Sequence, residues 1–480
     1  MAEAAGLVIG VIALVGTVKD CIDLFGYISA SRHLRDDFDL LDTKLDVEKT
    51  LLLQWAERVK LLSEHQDSRL EDAQIKHAVS RVLSSIKSLL SDSANLQSRY
   101  GARPASVPNA PVSAKSIVAR FSQSAAPAPR ATLSDVRMQR FYSDFTDLTI
   151  RTRGRTSVQV LDKIRWVMHD KEKFEGLIHE LSYFISKLNE IVPDDQGAIG
   201  LMMEQDLSKL YFGRLKVVYE ASVGRDSLMA STAQRTIDDD CTKRITERFW
   251  YRAIDDRRFS LASPHASTLR WALEPRDEDS DCTWDDLVQW LEHGSGIYWV
   301  SGKAGSGKST LLKFLYEHRK TKELLARWSG DSPLTMANFF FYALGVDEQK
   351  SQEGLVRALL YQILTAEPSL IPVLLPNMWR EAHISSEIRL SLPSAGESIE
   401  AFSVMQKGLG ISRKFVFFID GLDEYAGNPM HAVSFMERLA ANKDIKVVLS
   451  SRPLSSFVQA FSPNQTSSSK SLLGETSSAT

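Results

Sequence analysis

Residues 297–316 read Ile297-Tyr-Trp-Val300-Ser-Gly302-Lys-Ala-Gly305-Ser-Gly307-Lys308-Ser309-Thr310-Leu-Leu-Lys-Phe-Leu-Tyr316. The first four residues are apolar and aromatic, as a strand requires. The stretch from Thr310 spaces its apolar residues as a helix does. Between them, residues 302–309 match G-x-x-x-x-G-K-[ST]. Three glycines let the backbone curl so that successive N–H groups face an anion. The helix N-terminus adds its positive end. In this reading Gly302, Lys303, Ala304, Gly305, Ser306, Gly307, Lys308, Ser309 and Thr310 bind the phosphates of a nucleotide. Lys308 reaches the β- and γ-phosphates, and the Ser309 hydroxyl ligates Mg²⁺. A glycine-rich turn without a ligand is the alternative, but such a turn needs neither the strand before it nor the helix after it.

Two further segments fit the same chemistry. Phe415-Val-Phe-Phe-Ile419 is apolar throughout, as a central parallel strand should be, and it runs into Asp420-Gly-Leu-Asp423-Glu424. An acid at the carboxyl end of such a strand faces the crevice where a nucleotide lies. Asp420 is therefore expected to hold Mg²⁺ through water. Asp423 and Glu424 are candidates to orient or activate an attacking water; for these two, a loop acid pairing with a base is the alternative. A third apolar strand, Ile445-Lys-Val-Val-Leu449, leads to Ser450-Ser451-Arg452-Pro453. Arg452 at that strand end is placed to stabilise γ-phosphate charge. No G-x-S-x-G or H-E-x-x-H run offers a competing active site.

The first half of the chain reads differently. Residues 4–18 carry no charge, and only Glu3 precedes them. A secretory signal would begin with a basic segment. A helix of this run spans about 22 Å, short of a bilayer core of roughly 30 Å. It reads as a buried first helix of a bundle or as a helix able to leave the fold and enter a membrane; Gly6 and Gly10 would permit close helix packing. Phe38, Leu41, Leu45, Leu52, Trp55, Val59 and Leu62 predict an amphipathic helix over about 35–62. Further helices are expected over about 70–99, from near 134, and over about 156–192, the last with the stripe Phe174, Leu177, Ile178, Leu181, Phe184, Ile185, Leu188 and Ile191. Residues 101–132 are rich in Pro, Ala and Ser and read as a flexible insert. Strand-like alternation is scarce before residue 290. The fold class expected is multidomain: an N-terminal all-α helical bundle and a C-terminal α/β P-loop NTPase with a mainly parallel sheet.

Composition sets the outer limits. The chain has 480 residues, 43% of them hydrophobic and 25% charged, which excludes a largely disordered chain or a multi-span membrane protein. The net charge of −3 gives no global basic field, so no nucleic-acid partner is expected. Cys21, Cys241 and Cys282 are far apart, which argues against a disulfide framework or a cysteine zinc site and fits the cytoplasm.

Residues 6–28, GLVIGVIALVGTVKDCIDLFGYI, with 41–59, LDTKLDVEKTLLLQWAERV, and 163–191 together resemble the HeLo domain of fungal heterokaryon-incompatibility proteins. The resemblance covers about 1–215. It implies a cell-death effector whose N-terminal helix is released on oligomerisation and disrupts membranes, with residues 4–30 meeting membrane lipids. Residues 296–310, GIYWVSGKAGSGKST, with KFVFFIDGLDEY (414–425) and VVLSSRP (447–453), resemble the fungal NACHT-type NTPases of the STAND class. His265 with Ala266-Ser-Thr-Leu-Arg-Trp271, and Ala337-Asn-Phe-Phe-Phe-Tyr342 followed by Lys350-Ser-Gln, extend that resemblance, which covers about 245–460. It implies a switch that binds ATP or GTP with Mg²⁺, self-associates through the NACHT core and turns over slowly, cytoplasmic at rest and membrane-associated on activation. The activating ligand is unknown. Residues 216–244 then read as a hinge and 461–480 as a disordered Ser/Thr-rich tail. Proteins of this kind continue into a winged helix and sensor repeats, so the expectation is a truncated product. A P-loop enzyme acting on a small substrate and a non-catalytic helical adaptor or decoy stand as alternatives.

Overall fold

A computed structural model describes residues 2–30, 37–63, 65–105, 132–151, 164–195, 197–262, 269–274, 286–407, 413–462 and 470–473. Its contacts divide the chain into two units, Met1–Asp240 and Cys241–Thr480.

The first unit opens with α1, Ala2–Phe25. Leu14, Val15, Val18, Cys21, Ile22 and Phe25 are buried at steps of one, three or four, so one stripe of α1 enters the core. β1 (Ile28–Ala30) follows, then α2 (Phe38–Arg58), α3 (Ala73–Ser91) and α4 (Ser93–Ser98). The single helix expected over 70–99 is two. Asp92 adopts an extended backbone that ends α3, and its carboxylate accepts the Asn95 N–H at 3.0 Å to start α4. Asp72 caps α3 in the same way, accepting from Gln74 and Ile75 at 2.7 and 3.1 Å.

β2 (Ala102–Pro104), α5 (Asp135–Arg151), β3 (Trp166–Met168) and α6 (Lys171–Ile191) come next. β3 pairs parallel with β1 and antiparallel with β2. The all-α expectation is corrected here: the bundle carries a three-stranded sheet, and of the helix expected over 156–192 residues 166–168 form β3 and the helix runs from Lys171, while 156–163 lie outside the described residues. Three-residue strands are too short to show a period in sequence. The insert over 101–132 contributes β2; its residues 106–131 lie outside the described residues. On α6, Phe174, Leu177, Ile178, Leu181, Ile185 and Leu188 are buried as their spacing predicts. α7 (Ala198–Leu207), α8 (Phe212–Ser222) and α9 (Ser227–Phe249) complete the run. The hinge expected over 216–244 is helical, because Leu215, Val218, Ala221, Met229, Ala233 and Ile237 are buried at helical intervals.

The second unit is layered around a sheet. Its elements are α10 (Leu287–His293), β4 (Gly296–Ser301), α11 (Lys308–Glu317), α12 (Arg319–Ser329), β5 (Leu334–Phe340) and α13 (Gln352–Ala366). α14 (Ala395–Lys407), β6 (Lys414–Asp420), α15 (Pro429–Leu439), β7 (Ile445–Ser451), α16 (Ser455–Phe461) and β8 (Lys470–Leu473) follow. All strands are parallel, in the order β5-β6-β7-β4-β8. Alternate side chains go to opposite faces. Tyr298, Val300, Val416, Phe418 and Val448 form one core with Trp290, Leu311, Leu315 and Leu324 of α10, α11 and α12. On the other face Phe417 meets Phe402 of α14, which meets Phe435 of α15, and Trp299 meets Phe461 of α16. With both faces covered, the central strands are buried along their length, hence their unbroken apolar runs. The disordered tail expected over 461–480 is corrected at 470–473, where Ser471, Leu472 and Leu473 extend the edge beside β4; residues 463–469 and 474–480 lie outside the described residues. Among the described residues no helix is long and apolar enough to cross a membrane.

Candidate functional site

The carboxyl ends of β4, β7 and β6 bring the three sequence motifs together. β4 ends at Ser301, and the loop 302–307 leads straight into α11 at Lys308. Gly305 (φ 77°) and Gly307 (φ 85°) occupy the left-handed region, where a side chain would be strained. At Gly302 a Cβ would come within 2.7 Å of the Ser306 hydroxyl oxygen. Glycine at 305 and 307 is therefore a geometric need of this loop. Lys303, Ala304, Gly305, Ser306 and Gly307 are exposed, whereas Lys308, Ser309 and Thr310 are half-buried at the first turn of α11. The Lys308 ammonium curls back over the loop and donates to the Gly302 and Lys303 carbonyls, each at 2.9 Å. Partial burial lowers its pKa, against the pull of Asp423 and Asp420.

Asp420 ends β6 and is almost fully buried. Burial raises its pKa, opposed by hydrogen bonds from the Ser309 and Ser450 hydroxyls and by the charge of Arg257. The Ser309 hydroxyl at the start of α11 faces the Asp420 carboxylate across the intervening β7, where a hydroxyl and a carboxylate would share an ion. Ser450 of β7 also accepts the Gly421 N–H at 3.0 Å, and Gly421 (φ 69°) makes the left-handed turn that follows Asp420.

Asp423 and Arg452 come together as partners. Asp423 accepts the Arg452 backbone N–H and meets its Nε, both at 2.9 Å. The acid is buried at 7% side-chain exposure while the arginine is 54% exposed. This is the loop acid paired with a base. Glu424 instead accepts the Ala343 N–H at 2.8 Å, which ties the loop after β6 to the loop after β5.

Sequence reading missed Ser450 and Arg257. Ser450 lies inside a quoted motif, and its signal was a hydroxyl at the end of a buried strand next to the acid-bearing one. Arg257 lies in the charged run Asp255-Asp-Arg-Arg258 and gave none. His265 and Cys282 lie outside the described residues. Cys21 and Cys241 are buried, and burial pushes the Cys21 thiol up to about 12. Among the described residues no group of three or more His, Cys, Asp or Glu side chains could hold a metal alone. A Mg²⁺ held by one or two protein oxygens and the phosphates needs no such group.

Comparison with known proteins divides the chain in the same way. Residues 6–218 match the family model described as HeLo: Prion-inhibition and propagation. The HeLo match ends within α8, inside the first unit. Residues 282–452 match the model described as Nephrocystin 3, N-terminal, a span that contains the loop 302–307, Asp420 and Arg452. Two curated relatives of the HeLo half are the Heterokaryon incompatibility protein s of Podospora anserina and protein S of a named strain of that species. They are 22% and 23% identical over 242 residues, which is 50% of this chain and 76% of each relative. Two solved structures of the HET-s N-terminal domain, one of them a double mutant, are 18% and 17% identical. Each covers 47% of this chain, with 97% and 98% of the solved chains matched, at a TM-score of 0.30.

Proposed function

We propose that the chain is a nucleotide-dependent signalling switch of heterokaryon incompatibility. In this reading the second unit, a NACHT-type P-loop NTPase core, binds ATP or GTP with Mg²⁺ and self-associates. The HeLo domain then acts on membranes to cause cell death. The observation that carries the nucleotide part is the convergence of Lys308, Ser309 and Asp420 at the carboxyl ends of β4 and β6, with glycines in the left-handed region of the loop. Gly302, Lys303, Ala304, Gly305, Ser306, Gly307, Lys308, Ser309 and Thr310 would wrap the phosphates, and Ser309 with Asp420 would hold Mg²⁺. The metal would neutralise phosphate charge. Lys308 would exchange its two carbonyl partners for phosphate oxygens, a stronger charge-assisted bond. The effector part is supported by the relatives' names and by α1, whose apolar stripe is docked in the first unit.

Lys308→Ala should weaken Mg²⁺-nucleotide binding by roughly a hundredfold or more and abolish nucleotide-driven assembly, as titration calorimetry and sedimentation would show. Assembly that persists unchanged in that variant would defeat the switch reading. Deleting residues 1–20 should remove leakage from anionic liposomes and leave nucleotide affinity intact; leakage that survives the deletion would sink the membrane role.

One observation favours a second reading, in which the nucleotide is held and not turned over. Asp423 is engaged by Arg452 and Glu424 by Ala343, so both acids are committed to the fold. Single-turnover hydrolysis by Glu424→Gln decides between them: a slow switch loses its turnover in that variant, whereas a purely structural nucleotide shows none in the parent.

A further inference from the structure

Two adjacent arginines precede the phosphate loop, and the structure treats them in opposite ways. Arg258 pairs with Asp255 at 2.9 Å and with Glu317 of α11 at 3.1 Å. Arg257 takes part in none of the ion pairs of the described residues, and its buried Nε finds no hydrogen-bond acceptor among them. Its guanidinium lies 4.6 Å from the centroid of the Tyr342 ring. Tyr342 follows Phe341, whose N–H donates to the Asp420 carbonyl at 2.9 Å. The cation therefore stands at the carboxyl ends of β5 and β6, close enough for its charge to favour the ionised Asp420 carboxylate.

The segment that carries it is anchored on both sides. Gln349 Nε2 donates to the Ala253 carbonyl at 3.0 Å, from the loop after β5. Lys313 Nζ donates to the Leu261 carbonyl at 2.7 Å, from α11. A partly buried cation with an unmet donor costs free energy. Its place among phosphate-facing groups suits an anion that arrives from outside the chain.

We propose that Arg257 contacts the terminal phosphate of a bound nucleoside triphosphate from the β5 side, across β6 and β7 from Lys308, and so makes the site distinguish triphosphate from diphosphate. The assignment rests on the phosphate-loop reading above. The guanidinium fork matches two phosphate oxygens at once, and the Tyr342 face fixes its plane. A diphosphate lacks the group at that position, so the contact forms only with the triphosphate.

The test measures the affinity of the full chain for ATP, ADP, GTP and GDP with Mg²⁺ by calorimetry. Arg257→Met should weaken the triphosphates about tenfold or more and the diphosphates less than about threefold, and Arg257→Lys should recover part of the loss. Equal losses for both classes, or no loss, overturn the assignment. Tyr342→Leu keeps the arginine and removes its platform, so it should move the ratio the same way by a smaller factor; an unchanged ratio counts against the geometry. Lys308→Ala separates the two levels. If it loses all four nucleotides while Arg257→Met loses none, only the Arg257 assignment fails. If Lys308→Ala binds as the parent does, the phosphate-loop reading fails with it. A nucleotide-free melting temperature for Arg257→Met within about 3 °C of the parent shows that the fold is intact.

Discussion

Glu48 shows what a single charged residue does inside the first unit. It sits on α2, is 1% exposed, and one of its carboxylate oxygens has no hydrogen-bond partner. Burial pushes its pKa up to about 7, against a hydrogen bond from Ser182 and the charge of Arg225; Asp226 adds to the rise. An unfolded glutamate titrates near 4.3. The folded state therefore binds more protons than the unfolded state between about pH 4.3 and 7. Stability is fully present below that window and falls as the pH rises through it. Hydrogen exchange of the α2 amides, corrected for intrinsic rates, should show weaker protection at pH 7.5 than at pH 5. In Glu48→Gln, which cannot ionise, the two values should converge. A parent chain whose protection rises over that range would contradict the assignment. The spacing of α2 was legible in the sequence, but this acid looked like any other polar position of an amphipathic helix. Only the packing of α6 and the turn after α8 put it inside.

Among the elements, α1 decides how the first unit could respond. Its apolar stripe is held by burial, and its polar residues by two ties to other helices: Asp20 to Lys87 at 2.7 Å and Asp23 to the Tyr142 hydroxyl, with Lys19 bracing Asp23 from within α1 at 2.7 Å. Lys87 comes from α3 and Tyr142 from α5, so these ties lock α1 to two other helices. Removing Lys87 and the Tyr142 hydroxyl together, as Lys87→Met with Tyr142→Phe, should weaken α1 docking by about 1–3 kcal/mol. Faster proteolysis within α1, with the protection of α6 unchanged, is the expected result; equal destabilisation of both helices would mean the ties serve the bundle as a whole. In the second unit the corresponding lesson comes from Lys446. It is the second residue of the largely apolar β7, yet it is fully buried and donates to the Trp290 and Leu291 carbonyls at 2.7 Å each. The lysine closes the last turn of α10, a role its position in β7 did not announce.

At the scale of the whole molecule, the two units give the switch proposal a direct test. A ligand at a hundred times its Kd stabilises the unit that binds it by about 2.7 kcal/mol. Mg²⁺-nucleotide should therefore slow exchange in β4, β6 and β7 by roughly a hundredfold wherever exchange occurs by unfolding of that unit. If the nucleotide governs the HeLo domain, exchange in α1 must change as well, since a ligand shifts an equilibrium only through different affinities for its two states. An adaptor with a structural nucleotide leaves α1 untouched. Lys308→Ala should remove both effects together.

The sequence by itself determined the local events. A strand, a glycine loop with its lysine and serine, and a helix follow from propensity, from the left-handed φ that Gly305 and Gly307 adopt, and from apolar spacing. The same holds for the stripe on α6 and for the apolar run ahead of Asp420. All of these act within a few residues, where side-chain type constrains the backbone. What only the tertiary structure decided are the meetings between distant residues. These include the approach of Ser309 to Asp420, the pairing of Asp423 with Arg452, the small sheet β1-β3-β2 and the placement of Arg257 on Tyr342. They depend on strand order and on which faces the helices cover. Those are set by the summed burial of the whole unit, and no local period encodes them.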